Sequence, residues 1–244
     1  MEQLEGRNPV LEALQAGLDI HKVMVAKGAQ GGAMTRIVEL CKARNVNLQW
    51  VDRSLLDRKS QTGRHQGVIA ELAAIGYATL EEVLKRAADA QEDLLVVVLD
   101  EIEDPQNLGS IIRSAEAAGA HGVIIPRHRA AGLTAAVARA SAGAVAHLPV
   151  VQVTNLVQCV KALQKEGAWV VGADAAAEQA VYQANLTGPL VVVLGSEGKG
   201  ISRLLRENCD FLVSIPMLGK VGSLNVSVSA GIMLYEVIRQ RQTD

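Results

Sequence analysis

The chain has 244 residues, 24 basic against 26 acidic side chains for a formal net charge of −2, 49% apolar residues and only 2% aromatic. That length buries a sizeable core, which excludes a disordered chain, and the longest apolar runs, residues 94–99 and 190–194, fall far short of the roughly 20 residues a bilayer-spanning helix needs. Near-neutral charge and six aromatics (Trp50, Tyr77, Trp169, Tyr182, Phe211, Tyr235) exclude an electrostatic sponge for nucleic acid and a base-stacking platform.

The first residues, MEQLEGRNPVLEAL, are acidic and amphipathic, without the basic stretch and apolar core of a secretory signal, so the expected location is the cytoplasm. Residues 9–16 are predicted as a helix started by Asn8, with Pro9 at the first helical position, where its missing N–H costs little. A strand at 22–26, an amphipathic helix at 33–44, a strand at 48–51, a helical turn at 55–59 and a strand at 67–73 complete a small alternating α/β block. Residues 1–75 carry ten basic and eight acidic side chains, and residues 76–95 carry two and five. The neutral total thus conceals a mildly basic first domain, 1–75, behind an acidic linker, 76–93. Thr79 and Glu82 fit a capping box for a helix over 79–88, which either belongs to the linker or docks on the second block.

From residue 94 the pattern repeats more strongly, defining a second domain over 94–244. Its predicted strands are LLVVVLD (94–100), HGVIIP (121–126), HLPVV (147–151), AWVVGAD (168–174), LVVVLG (190–195) and FLVSIP (211–216). Helices are expected at 107–118, 134–139, 155–165 and 202–207, with a long final helix over 224–241. Continuous Val/Leu/Ile runs without alternation suit strands covered on both faces, as in a mainly parallel sheet. Ligands then collect at the carboxyl ends of those strands.

Three segments at such strand ends carry the polar residues. In the first, 104–113, Asn107 is placed to cap a helix, Gly109 and Ser110 leave room for a ligand to approach its N-terminal turn, and Arg113 follows nearly two turns on. The second, Leu194-Gly195-Ser196-Glu197-Gly198-Lys199-Gly200, has two residues between its first Gly and Gly-Lys where a phosphate-binding P-loop needs four; it reads as a glycine-rich binding loop around one carboxylate. The third, 215–230, runs Ile215-Pro216-Met217-Leu218 and then Ser223-Leu224-Asn225 into the final helix, two short polar side chains that either cap that helix or face a ligand. Cys41, Cys159 and Cys209 are isolated thiols, read as buried or incidental, and the five histidines show no ligand spacing, so no metal site is expected.

In this order and context, N-x-G-x-x-x-R, L-G-S-E-G-x-G and I-P-M-x-G-x-V-x-S-L-N-V-S-V-S resemble the three motifs of the SpoU (TrmH) branch of the SPOUT methyltransferases, over residues 94–241. The first block adds G-R-N-P-V-L-E-A-L (6–14) and T-G-R-H-Q-G-V (62–68), which look like the ribosomal protein L30e-like substrate-binding domain of some members. With the S-A-G-A (141–144) and L-P-V (148–150) segments, the pairing is most similar to members that methylate a guanosine of bacterial 23S rRNA.

The resemblance implies an α/β fold with a deep trefoil knot in the catalytic domain, S-adenosylmethionine as cofactor and a homodimer. It implies 2′-O-methylation of a guanosine ribose in the peptidyl-transferase P loop of 23S rRNA, or of a large-subunit assembly intermediate, with no DNA and no membrane as partner. Arg113 is then catalytic together with Asn107, Glu197, Ser223 and Asn225. The cofactor is expected among Leu194, Gly195, Ser196, Glu197, Gly198, Ile215, Pro216, Met217, Leu218, Ser223, Leu224 and Asn225. Local basic clusters suggest the path of RNA along Arg53, Arg58, Lys59, Arg64 and His65 in the first domain and Arg127, His128 and Arg129 in the second. A tRNA ribose methyltransferase, a non-catalytic RNA-binding assembly factor and, more remotely, a nucleotide hydrolase are the alternative readings.

Overall fold

The computed structural model describes residues 3–72 and 76–242, and these form two sheets. The first contains β1 (Gln3–Glu5), β2 (Ile20–Ala26), β3 (Asn47–Val51) and β4 (Val68–Leu72) in the order β1-β4-β2-β3. Strand β4 runs antiparallel to β1 and β2, and β2 parallel to β3. Side chains alternate across a strand, so Val23 and Val25 face α1 (Arg7–Gln15) and α2 (Gly32–Ala43), whereas Met24 and Ala26 meet Leu56 of the short α3 (Arg53–Lys59).

Two local expectations are corrected here. The acidic N-terminal stretch holds a strand, β1, too short to show any period, in which Leu4 pairs with Ala70. Helix α1 starts at Arg7 with Gly6 as N-cap at φ 97°, so Asn8 lies inside the helix and Pro9 at its third position, still within the turn whose N–H groups have no helical partner.

Glu5 fastens the loop that carries the T-G-R-H sequence. Its carboxylate accepts from the hydroxyls of Ser60 and Thr62 and from the Gln61 N–H at 2.6 Å. Burial opposes its ionisation, but these hydrogen bonds outweigh burial and hold the carboxyl down at about 2, against an ordinary 4.5. A depressed folded pKa gives stability that is complete above the unfolded value and lost as pH falls from 4.5 towards 2. Glu5→Gln is therefore expected to lower stability by about 1–2 kcal/mol at neutral pH after allowance for solvent screening. Denaturant melts of the two proteins should converge on acidification, and an unvarying gap would refute the assignment.

The second sheet holds β5 (Leu95–Asp100), β6 (Gly122–Pro126), β7 (Val150–Val153), β8 (Trp169–Ala173), β9 (Leu190–Gly195) and β10 (Phe211–Val213), all parallel, in the order β10-β8-β9-β5-β6-β7. Its helices are α4 (Leu80–Ala90), α5 (Pro105–Ala117), α6 (Ala135–Ala140), α7 (Leu156–Lys165), α8 (Arg203–Arg206) and α9 (Val226–Arg241). Leu95, Val97 and Leu99 of β5 enter a core with α5, α6 and α9. Val96 and Val98 enter another with Val83 and Ala87 of α4, Val160 of α7 and Leu205 of α8. Both faces are covered, which is why the strands read as unbroken apolar runs. The connector helix α4 carries its capping box between Thr79 and Glu82 and docks on this second sheet. Among the described residues no helix is long and apolar enough to cross a membrane.

The start of α5 also differs from expectation. Asp104, not Asn107, is the N-cap, accepting from the Gln106 N–H, with Pro105 at the first helical position. Gly109 does not open space for a ligand: a Cβ there would fall 2.4 Å from the Ala140 Cβ and 2.8 Å from the Val137 carbonyl oxygen. It lets α5 and α6 approach closely, a packing role that leaves Asn107 free to face the sheet's carboxyl edge.

Candidate active site

The loop after β9 folds back on itself. Ser196 pairs with Gly200, whose N–H donates to the Ser196 carbonyl at 2.9 Å. The return leaves no space for a side chain at 195, where a Cβ would fall 2.0 Å from the Gly200 carbonyl carbon. Gly198 and Gly200 supply φ values of 91° and 68°, which L side chains resist. Asp100, buried at the end of neighbouring β5, accepts from the Ser202 N–H at 2.8 Å and fixes the loop's exit.

This fold-back presents Glu197 to the other two motifs. Its Oε1 accepts from Asn225 Nδ2 at 2.6 Å, Asn107 Nδ2 at 3.3 Å and the Val226 N–H at 3.3 Å. Asn225 Nδ2 also donates to Asn107 Oδ1 at 2.9 Å. At the same time Asn225 caps α9, its Oδ1 accepting from the Ser227 N–H at 2.9 Å. Residues 107, 197 and 225 thus form one hydrogen-bonded cluster with a carboxylate at its centre.

The cluster borders a cleft of about 500 Å³ lined by residues 173–176 and 194–201, Arg206, Gly222, Ser223, Leu224, Val226 and Ser229. A second cleft of about 300 Å³ adjoins it, formed by Glu101, Ile102, Glu103, Asp104 and Asn107 and sharing Ser196, Glu197, Lys199 and Val226 with the first. The larger cleft has a volume in the range of small-molecule and cofactor sites. Its glycine loop brings backbone rather than side chain to the surface.

The expected site residues divide. Leu194, Gly195, Ser196, Glu197, Gly198, Ser223 and Leu224 line the larger cleft, and Asn225 reaches its rim through Glu197. Ile215, Pro216, Met217 and Leu218 do not line it, and Leu218 is fully exposed. Arg113 is exposed on α5, about 9 Å along the axis from Asn107 and rotated by about 240°, so its guanidinium stands outside the cluster of its own chain.

Arg53, Arg58, Arg64, Arg127 and His128 are exposed. Lys59 pairs with Glu71 at 3.0 Å, and Arg129 with Glu101 at 2.6 Å. His65 leaves the RNA-facing set. It is buried, its Nδ1 accepts from the Gly67 N–H at 3.1 Å and its Nε2 lies 2.8 Å from Asp57, a structural pairing inside the loop. Burial pushes the Cys159 thiol up to about 11, and burial with the Asp210 charge pushes Cys209 up to about 12, so neither supplies a thiolate at neutral pH.

Sequence reasoning passed over Asp100, Asp174 and Arg206. Asp174 lines the larger cleft and holds Arg206 at 3.0 Å. The available signal was a carboxylate closing an apolar strand, in LVVVLD and again in WVVGAD.

A parallel α/β sheet with glycine-loop clefts at its carboxyl edge defines the class, and comparison with known proteins gives the family. The SpoU rRNA Methylase family matches residues 94–235, and the RNA 2'-O ribose methyltransferase substrate-binding family matches residues 3–78. YacO of Bacillus subtilis, named for the TrmH family of tRNA/rRNA methyltransferases, is 47% identical over 97% of this chain and 94% of its own. The SpoU methyltransferase AviRb of Streptomyces viridochromogenes, solved with AdoMet, aligns over 99% of this chain and 91% of its own, with a TM-score of 0.72 and 29% identity. An AdoMet-bound rRNA methyltransferase of Sinorhizobium meliloti aligns over 98% and 87%, with a TM-score of 0.67 and 27% identity. The chain belongs to the SpoU/TrmH family of methyltransferases and has the SPOUT fold.

Proposed function

We propose that this protein transfers a methyl group from S-adenosylmethionine to the ribose 2′-hydroxyl of a guanosine in the peptidyl-transferase P loop of 23S rRNA. The observation that carries the reading is the meeting of Asn107, Glu197 and Asn225 at the rim of the glycine-lined cleft. The cofactor fits that cleft because Gly195 lets the loop close on itself, leaving backbone at the wall. The resemblance of an rRNA methyltransferase over 98% of this chain, spanning both sheets, supports rRNA as the substrate. The division of labour proposed is RNA delivery by residues 1–75, connection by 76–93 and catalysis by 94–244, in the cytoplasm.

S-adenosylmethionine supplies a methyl group already activated by its sulfonium. What remains for the protein is to hold the ribose oxygen in line for that methyl group and to let the hydroxyl proton pass to a phosphate oxygen of the RNA, so that transfer would leave the ribose ether and the neutral thioether of the spent cofactor. Glu197 and the two amides orient the hydroxyl, with Ser223 on the cofactor side of the rim. Arginine is effectively never deprotonated, so Arg113 holds a substrate phosphate and stabilises developing alkoxide charge rather than acting as the base.

Arg113 stands away from its own cluster, which favours a homodimer in which the partner supplies it. Val228 and Tyr235 lie on one stripe of α9 and are 49% and 56% exposed, an apolar strip of the kind a second copy covers. The knot belongs to the same proposal, with α9 packed on α5 and β9 after the 214–225 loop returns past the glycine loop. Arg113→Lys is expected to lower kcat at least about tenfold because a planar two-pronged contact is lost; near-normal turnover would argue against the role.

The decisive experiment maps ribose methylation in 23S rRNA and tRNA from cells with and without the protein. Loss of one guanosine methyl in the rRNA is expected. Loss confined to tRNA would move the substrate. Failure of the purified protein to bind S-adenosylmethionine would leave an RNA-binding assembly factor.

A further inference from the structure

Glu101 closes the end of β5, the middle strand of three neighbours in the order β9, β5, β6. Its φ is 56°, a left-handed conformation uncommon outside glycine, and its carboxylate is held between the loops after the two flanking strands. Oε1 accepts from Arg129 Nη1 at 2.6 Å, and Oε2 lies 3.7 Å from Lys199 Nζ. One carboxylate thereby holds two cations whose side chains stay 71% and 81% exposed. Exposed ion pairs of this kind add little stability, so their position matters more than their energy.

Lys199 lines both clefts. Around the smaller one Glu101, Glu103, Asp104 and Glu197 are acidic, and Lys199 is the cation among the lining residues. A polyanion entering this cleft is repelled by most of its wall and attracted at one edge. In RNA the 2′-hydroxyl is the neighbour of the 3′-phosphodiester. A ribose seated at Asn107, Glu197 and Asn225 must therefore place one negative charge within a few bonds of the cluster.

We propose that Lys199 and Arg129, set in place by Glu101, form a clamp for the phosphodiester on the 3′ side of the target ribose, with the nucleotide in the smaller cleft. The clamp rests on the methyltransferase reading above and adds to it the group that fixes the register of the strand. It differs from the role of Arg113, which acts on turnover. Lys199 and Arg129 act on substrate binding, and Glu101 is a positioning residue.

The test uses the full-length protein and a 23S rRNA P-loop hairpin, made with either a normal or an uncharged methylphosphonate linkage 3′ to the target. Lys199→Met, which keeps the apolar stem, is expected to raise the RNA KM about tenfold, well beyond any accompanying change in kcat or in cofactor Kd, and to reduce the salt slope by about one. Lys199→Arg should restore most of the loss. Glu101→Ala removes a repelling carboxylate together with the tether, so a KM that rises in the same direction supports the positioning role and a KM that falls would overturn it. The neutral linkage should weaken the wild type to the same degree and Lys199→Met no further. An unchanged KM in Lys199→Met, or losses from variant and linkage that simply multiply, would overturn the clamp while leaving the methyltransferase reading intact. A wild type that transfers no methyl group to any RNA would overturn both.

Discussion

Glu197→Ala is expected to lower turnover by about 100-fold or more while leaving the melting temperature nearly unchanged. The two effects separate because Glu197 is exposed and stabilises little, yet its Oε1 is the shared acceptor for the Asn107 and Asn225 amides and the Val226 N–H. Without it the two amides lose their common reference point, and errors of about an ångström in the placement of a reacting atom cost about two orders of magnitude in rate. Glu197→Gln keeps an oxygen acceptor and should recover part of the loss. Transfer of labelled methyl to extracted RNA measures the rate, and calorimetry measures the cofactor. Turnover within a few-fold of wild type for Glu197→Ala would remove the cluster from the chemistry.

Gly195→Ala is expected to abolish cofactor binding, by about 100-fold or more in Kd, and to lower stability by about 1–3 kcal/mol. The added methyl would sit 2.0 Å from the Gly200 carbonyl carbon and 2.2 Å from the Ile201 nitrogen. Backbone cannot yield as a flexible side chain does, so the loop must open. Opening moves Glu197 away from Asn225 and widens the cleft at the same time. Gly198→Ala makes a useful comparison: no atom lies near its Cβ, but its φ of 91° resists a side chain, so a milder loss is expected. Calorimetric titration with S-adenosylmethionine distinguishes them, and wild-type affinity in Gly195→Ala would refute the packing argument.

The second sheet was legible because its strands are covered on both faces, a state that writes itself as LVVVLD or LVVVLG without alternation. The polar motifs were legible because the glycine loop comes directly after such a run, the first motif follows another within four residues, and the third follows the short strand FLV. Strand β1 was not, since three residues of QLE carry no period and gain strand geometry only from β4. Gly109 was misread because a glycine spared for helix packing and one spared for a ligand look alike until α6 is in place. His65 was misread for a related reason. Nearness to Arg64 in sequence suggested a shared surface, but the chain turns at Gly67, φ 85°, and carries the imidazole inward. Arg113 shows the opposite limit, because its place on α5 was readable but the group it serves lies off its own chain in the proposed dimer.

Asn225 serves two structures at once, closing the N-terminus of α9 through the Ser227 N–H and completing the carboxylate cluster through Glu197. During synthesis the residues of α9 emerge after every strand of the sheet has been made. The cluster of Asn107, Glu197 and Asn225 therefore cannot assemble on a nascent chain that has folded its sheet but not yet its last helix. On the proposed function, a chain still on its ribosome, surrounded by RNA, carries the glycine loop and the cations but not the geometry to use them.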